Sequence, residues 1–96
     1  MVRLYETVFI LKPDLEEEAR EGIIERIKDL ITSNQGEIVE VETWGNKKLA
    51  YEIKNYNNGF YTLISFKGNK VVLSELERNY RIIDEVIRSL IIKVED

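Results

Sequence analysis

The chain has 96 residues, a length typical of one domain (1–96), and it carries 18 acidic and 14 basic side chains for a net charge of −4. Without cysteine it cannot form a disulfide, and without histidine it also lacks the commonest zinc ligand and the usual neutral-pH proton shuttle. No apolar run reaches the length of a membrane span, and residues 1–6 lack the pattern of a secretion signal. We therefore expect a cytoplasmic protein without metal or cofactor, in which catalysis is disfavoured although Asp, Glu, Lys and Tyr remain available for it.

The first two elements follow from hydrophobic periodicity. Residues 3–12 are rich in strand-forming side chains and stop at Pro13. Asp14 is predicted to cap a helix and Glu17, three residues later, to close a capping box. The buried face of that helix is predicted to consist of Ala19, Ile23, Ile27, Leu30 and Ile31. Gly36 marks its end.

The middle of the chain predicts two strands and a turn. Residues 37–43 alternate as in a half-buried strand. One face would carry Ile38, Glu40 and Glu42, and the other Val39 and Val41. Residues 44–46 indicate a bulge, after which 49–53 is extended again. Residues 56–59 have turn chemistry and precede a strand over 60–66.

The last third predicts a helix and a strand. Gly68 interrupts the third strand, and Asn69 can cap the second helix. Its apolar stripe would be Val72, Leu73, Leu76 and Tyr80. A final strand is expected over 86–94. The order βαββαβ, with two right-handed crossovers, predicts an α+β ferredoxin-like fold: a four-stranded antiparallel sheet with both helices on one face.

The face without helices should be polar, but the strands have large apolar side chains on both sides. In the first strand one side carries Tyr5, Thr7, Phe9 and Leu11, and the other Leu4, Val8 and Ile10. Arg88 lies among the apolar side chains of the last strand. Apolar surface of this kind predicts a binding partner, although β-propensity alone or self-association would also explain it.

Residues 45–54, Gly-Asn-Lys-Lys-Leu-Ala-Tyr-Glu-Ile-Lys, closely resemble the signature of bacterial small-subunit ribosomal protein six. That pattern is a Gly, a basic pair, Leu-Ala-Tyr, one residue and Ile. Residues 3–13 and 81–93 resemble the first and last strands of the same family. The resemblance therefore spans nearly the whole chain in the right order.

The resemblance implies a non-catalytic ribosomal protein that binds the central domain of small-subunit ribosomal RNA. It also implies a heterodimer with ribosomal protein eighteen, whose basic charge would compensate for the net charge of −4. The expected partner contacts are Trp44, Lys47, Lys48, Leu49 and Tyr51. The expected RNA contacts are Arg3, Tyr5, Arg81, Arg88 and Lys93, with Tyr5 stacking on an unpaired base. Taken singly, the lysine pair could instead protect an edge strand, and Trp44 and Tyr51 could be core aromatics.

Three other classes share this topology. Residues 59–66 faintly resemble the third-strand motif of a stand-alone RNA-recognition-motif domain, although the aromatics are out of register. An acylphosphatase-like enzyme would need a glycine-rich anion-binding loop after the first strand, whereas residues 12–16 are acidic and lack glycine. A regulatory domain for a small ligand stays open on pattern alone.

Overall fold

The computed structural model describes residues 2–94. Along the chain it contains β1 (Arg3–Leu11), α1 (Glu17–Ser33), β2 (Glu37–Ile53), β3 (Tyr56–Gly68), α2 (Lys70–Ile82) and β4 (Val86–Lys93). The strands form one sheet in the order β2-β3-β1-β4, and every neighbouring pair is antiparallel. The predicted ferredoxin-like arrangement is confirmed.

The core lies between the helices and one side of the two central strands. Phe9 of β1 and Phe66 of β3 are fully buried there, together with Ile27 of α1 and Leu76 of α2. Aromatic rings pack across this layer, with ring centroids 5.6 Å apart for Phe9 and Tyr80. Burial of these side chains in one cluster holds both helices on the same face of the sheet. Ala19, expected in the buried stripe of α1, is exposed in its first turn.

A polar pair is embedded in this apolar layer. The hydroxyls of Thr7 and Tyr80 are 2.8 Å apart, and the Thr7 hydroxyl also donates to the Leu90 carbonyl at 3.2 Å. Burial raises the pKa of Tyr80 well above its ordinary value of 10.0, and its hydrogen bond with Thr7 opposes this only in part. Tyr80 therefore stays neutral and ties α2 to the centre of β1.

The ends of α1 differ from the sequence prediction. Asp14 is not the N-cap, since Pro13 and Asp14 form a turn and the capping position is Glu16, whose side chain accepts no capping hydrogen bond. The C-terminus closes with hydrogen bonds from Gln35 to Thr32 and from Gly36 to Ile31, at 3.2 and 2.8 Å. Gln35, at φ 68°, takes the left-handed position of this Schellman motif. Gly36 is needed for space, because a Cβ there would lie 2.7 Å from Ile31.

The strict alternation predicted for residues 37–43 is wrong. Ile38 pairs with Phe66, but Glu40 pairs with the adjacent Ser65, so Val39 is an extra residue in a bulge. Because paired residues share a face, Ile38 lies on the helix side and Glu40 on the opposite side. The bulge reverses the parity that the sequence pattern suggested.

The turn of the β2–β3 hairpin lies between the bulge predicted at residues 44–46 and the turn predicted at residues 56–59. Lys54 and Asn55, with φ of 49° and 70°, form a two-residue turn between the paired Ile53 and Tyr56. Residues 56–59, predicted as a turn, begin β3 instead. The bulge predicted at residues 44–46 is confirmed, with a register shift around Gly45 at φ 81°. The result is a long hairpin that extends beyond the part of β3 that pairs with β1.

Replacing Asn69 by alanine should destabilise the protein by about 1 kcal/mol, because its side chain accepts the Val71 amide hydrogen bond at 3.0 Å and caps α2. Asp14→Ala is the matched control, since Asp14 also precedes a helix but does not occupy the capping position. Urea denaturation of both variants measures the difference. Equal losses for the two variants would contradict this assignment of the caps.

Replacing Tyr80 by phenylalanine should cost about 1 kcal/mol at neutral pH, because the buried Thr7 hydroxyl loses one partner. A phenol whose folded-state pKa is raised stabilises the fold below its unfolded pKa of 10.0, and this contribution is lost as pH rises through the folded pKa. The stability difference between wild type and Tyr80→Phe should therefore shrink above pH 10, as measured by urea denaturation at neutral and alkaline pH. A difference that stays constant or widens would contradict burial as the cause.

Candidate RNA and protein interface

The side of the sheet opposite the helices, here called the open face, mixes apolar and charged side chains. Cross-strand pairing defines its rows, because paired residues point the same way. One row joins Glu42, Leu63, Val8 and Leu90, and the next joins Glu40, Ser65, Glu6 and Ile92. A third row brings Tyr61, Ile10 and Arg88 together.

One end of the open face is covered by the chain's own hairpin. Leu49 of β2 is buried against Ile10 and Ile87 in a second small cluster. Tyr56 and Tyr61 pack against the same cluster. Leu49, predicted as a partner contact, therefore holds the hairpin against the sheet and offers little surface to another molecule.

The rest of the open face keeps exposed apolar side chains. Leu90 and Ile92 of the edge strand β4 are 56% and 46% exposed, and Trp44 is 42% exposed. An almost wholly apolar groove of about 180 Å³ lies between β4 and β3, bordered by Val8, Tyr61 and Leu90. Apolar surface of this kind marks an interaction site more often than not, and it lies on the face where the sequence predicts one.

Arg88 and Tyr51 meet at the rim of this groove. The Arg88 guanidinium donates a hydrogen bond to the Tyr51 hydroxyl and lies 5.6 Å from the centre of its ring. Arg88 was predicted to contact RNA and Tyr51 a protein partner, and both side chains are exposed. The side chain predicted to contact RNA is therefore in direct contact with one predicted to contact the protein partner.

The other predicted partner residues lie along the hairpin. Trp44, in the bulge, stacks on Tyr61 with ring centroids 6.2 Å apart and stays partly exposed. Lys47 and Lys48 are exposed and pair with Gly59 and Asn58 of β3. Because Asn46 pairs with the core residue Phe60, Lys48 lies on the helix side of the hairpin and Lys47 on the side of the open face. Trp44, Lys47 and Tyr51 are therefore exposed near the buried Leu49, and Lys48 is exposed on the other side of the hairpin.

Two predicted RNA residues meet at the opposite end of the sheet. Arg3 and Lys93 line an open groove of about 440 Å³ together with Lys70 and the first turn of α2. Three cations beside the positive end of a helix suit a phosphate group. Sequence reasoning missed Lys70, although its position directly after the helix cap Asn69 places it at the helix N-terminus.

The stacking role expected for Tyr5 is wrong. Tyr5 lies on the helix side, is only 9% exposed, and stacks on Phe66 with ring centroids 5.7 Å apart. Its ring could stack on a base only by leaving the core. Tyr5 instead forms part of the wall of the groove that holds Arg3 and Lys93.

The five predicted RNA residues do not form one patch. Lys93 pairs with Tyr5 and Arg88 with Ile10, so these two cations are five residues, roughly 17 Å, apart along β4. Arg81 is exposed in the last turn of α2. The cations therefore form one group around Arg3 and Lys93 and two separate positions at Arg88 and Arg81.

These surfaces offer cations, hydrogen-bond donors and apolar area, which are the means of macromolecular binding. In the part of the chain that the structure describes, no three acidic side chains are grouped to hold a metal ion. No helix within residues 2–94 is long and apolar enough to cross a membrane.

Comparison with known proteins gives the same result for sequence and structure. The family model described as ribosomal protein S6 matches residues 4–93. Small ribosomal subunit protein bS6 of Caldanaerobacter subterraneus subsp. tengcongensis is 50% identical over 95 residues, covering 99% of this chain and 100% of that protein. The protein of the same name from Moorella thermoacetica is 45% identical over 95 residues, covering 99% and 97%.

A solved relative has the same fold in detail. The crystal structure of 30S ribosomal protein S6 from Thermotoga maritima superposes with a TM-score of 0.93 at 42% identity, covering 98% of this chain and 89% of that one. The family model matches nearly the whole chain, and these relatives are 42% to 50% identical to it. The chain belongs to the ribosomal protein S6 family, whose members are structural rather than catalytic.

Proposed function

We propose that this protein is a structural component of the bacterial small ribosomal subunit, where it binds central-domain ribosomal RNA cooperatively with ribosomal protein eighteen. The observation that carries the proposal is the open face, whose exposed apolar groove is bordered by Arg88 and by the hairpin. Family membership supports the ribosomal setting. The identity of the RNA region and of the protein partner follows from the resemblance described above.

Charge explains why a partner is required. Nucleic-acid affinity depends mainly on cations that neutralise phosphates, and this chain carries a net charge of −4. The cations near Arg3 and those near Arg88 are few and lie apart. Such a surface binds RNA weakly by itself, and a basic partner on the open face would add the missing positive charge.

The contact between Arg88 and Tyr51 supports cooperativity. Tyr51 belongs to the hairpin surface proposed for the protein partner, whereas Arg88 is proposed to reach RNA. A partner that packs on the hairpin would restrict Tyr51 and therefore also the guanidinium that donates to it. Holding Arg88 in place before RNA arrives lowers the entropic cost of the RNA contact.

The groove of Arg3, Lys70 and Lys93 is the proposed phosphate contact. Its cations lie at the end of the sheet opposite the hairpin turn. RNA and protein can therefore occupy different parts of the molecule at the same time. Positively charged side chains beside a helix N-terminus provide affinity without base specificity.

A stand-alone RNA-recognition-motif domain fits the structure less well. Such domains stack two or three bases on aromatic side chains that protrude from the open sheet face. Here Phe60 and Phe66 belong to the core on the helix side. Tyr61 does lie on the open face, but Trp44 stacks on its ring. The aromatic platform that this alternative needs is therefore not formed by β3.

The protein alone should bind a central-domain RNA fragment weakly, and it should bind at least about tenfold more tightly when ribosomal protein eighteen of the same genome is present. Filter binding or fluorescence anisotropy at fixed salt measures both affinities. Protein eighteen alone with RNA is the control for simple addition. Tight binding of single-stranded RNA without any partner would favour the recognition-motif alternative instead.

Replacing Arg88 by alanine should weaken the ternary complex about tenfold while leaving the fold intact, since an exposed cation at the groove is lost. Arg78→Ala is the matched control, because Arg78 is exposed on α2 and pairs there with Glu75 at 3.6 Å. The same anisotropy assay, with circular dichroism as the folding check, compares the two variants. Equal ternary affinity for both would remove Arg88 from the interface.

A further inference from the structure

The outer part of the β2–β3 hairpin carries a chemically reactive pair of residues, Asn58 and Gly59. Among the asparagines of the chain, Asn58 is the one that glycine follows. This order favours loss of ammonia from the asparagine, because a glycine has no Cβ to keep its backbone nitrogen away from the preceding side chain. Asn58 is exposed, so water reaches its amide group.

Close packing, rather than backbone conformation, explains the glycine at position 59. Gly59 is buried and does not take a left-handed φ. A Cβ there would collide with the side chain of Ile10 and would lie 3.5 Å from that of Ile87. Glycine is therefore what allows the hairpin to lie against the sheet, and the same glycine makes Asn58 reactive.

Strand geometry keeps the reacting atoms apart while the hairpin is closed. Asn58 pairs with Lys48 and Gly59 with Lys47, so the peptide group between them belongs to the β2–β3 ladder. Deamidation requires the Gly59 nitrogen to reach the Asn58 Cγ atom, and the peptide plane must rotate out of the ladder for this. The closed hairpin therefore protects Asn58 although its side chain is exposed.

This part of the hairpin has few attachments to the rest of the sheet. Pairing between β1 and β3 ends at Phe60, so within the described chain β2 is the one strand that pairs with residues 56–59. Leu49 anchors the ribbon through the second small cluster, and a cleft of about 240 Å³ lies beside it. A two-stranded ribbon held by one small cluster opens at a lower free energy than the core.

We infer that Asn58 and Gly59 form a site of spontaneous deamidation that becomes reactive when the hairpin leaves the sheet. The Gly59 nitrogen gives its proton to a solvent base and attacks the Asn58 Cγ atom. The bond from Cγ to Nδ2 breaks, and ammonia leaves after taking a proton from water. Water then opens the cyclic imide, either at Cγ to give aspartate or at the main-chain carbonyl to give isoaspartate. Because solvent base starts the reaction, its rate rises with pH.

Either product changes the hairpin permanently. Aspartate at position 58 places a carboxylate opposite Lys48. Isoaspartate adds a methylene group to the main chain, which displaces Gly59 from its contact with Ile10 and interrupts the ladder. The modification therefore marks those copies of the protein whose hairpin has been open.

The test compares deamidation rates in the whole folded protein at mildly alkaline pH. Trypsin releases residues 55–67 as one peptide, in which Asn55 and Asn57 are internal controls because neither precedes glycine. Mass spectrometry with electron-transfer fragmentation locates the modified residue and separates aspartate from isoaspartate. We expect Asn58 in the folded protein to react about tenfold faster than either control and about tenfold more slowly than in the free peptide 55–67.

Matched variants test whether the hairpin controls the reaction. Leu49→Ala should accelerate deamidation of Asn58 about tenfold, because the rate follows the population of the open hairpin. Leu73→Ala is the control, since it makes the same change on α2, where Leu73 packs against the main core. Urea denaturation compares the global stability of the two variants. Tyr51→Phe keeps the anchor but loses the hydrogen bond to Arg88, and it should accelerate the reaction about twofold.

Contrary results are equally definite. Equal acceleration by Leu49→Ala and Leu73→Ala at equal stability would place the reaction in the globally unfolded chain and overturn control by the hairpin. A rate in the folded protein equal to that of the free peptide would do the same. If Asn58 reacted no faster than Asn55 and Asn57 even in Leu49→Ala, the site itself would be wrong. None of these results bears on the proposed function, because the reaction involves neither RNA nor a partner protein.

Discussion

The βαββαβ order with right-handed crossovers puts both helices on the same side of the four-stranded sheet, and most features of this protein depend on that constraint. The helix side is closed by a single core in which Phe9, Phe66 and Leu76 are fully buried. The central strands nevertheless carry apolar residues on their other side, among them Val8 and Leu63. Hydrophobic burial stabilises only what it removes from water, so the exposed Leu90 and Ile92 contribute little until something covers them.

The protein covers one end of the open face with its own hairpin, and the rest of that face exposes both charged and apolar side chains. The hairpin is held down by Leu49 and buries the end near Ile87. Beyond it, the cation Arg88 borders an apolar groove, and Glu42 lies in the same cross-strand row as Val8 and Leu90 of that groove. A partner on such a face has a defined orientation, because turning it end for end would oppose like charges. At a surface of this kind, charged side chains favour one register and one kind of partner, while apolar side chains supply most of the area that a partner would bury.

The elements of the fold could be predicted from the sequence because they depend on periodicity. The apolar spacing of Ile27 and Ile31, and of Val72 and Leu76, reports which side of each helix is buried. The capping role of Asn69 was also predictable, since its side chain bonds a backbone amide two residues away. These features are local, so neighbouring residues determine them.

Features that depend on distant strands could not be read in the same way. The bulge at Val39 is defined by its pairing with Phe66 and Ser65, and it reverses which residues face the helices. The hairpin turn at Lys54 uses left-handed residues other than glycine, which a search for Asn-Gly signals misses. The pattern of apolar residues likewise predicted an interaction surface on the open face, but not that Leu49 covers part of it.

The same logic applies to the candidate site. Tyr5 lies two residues from Arg3 in sequence, but alternation along β1 places its ring in the core. Lys70 joins Arg3 and Lys93 only because β3 ends beside the start of β1 and the end of β4. Sequence identifies which side chains have suitable chemistry, and strand pairing decides which of them meet.

The edge strand β2 shows how a surface made for one partner can avoid others. An exposed edge next to apolar side chains invites pairing with a second copy, and charged side chains on the edge oppose this. Glu40, Glu42, Lys47 and Lys48 are all exposed along β2. The first two repel another copy at the same strand end, where a basic segment would be attracted. The charges on β2 therefore oppose edge-to-edge pairing between two copies of the unbound protein.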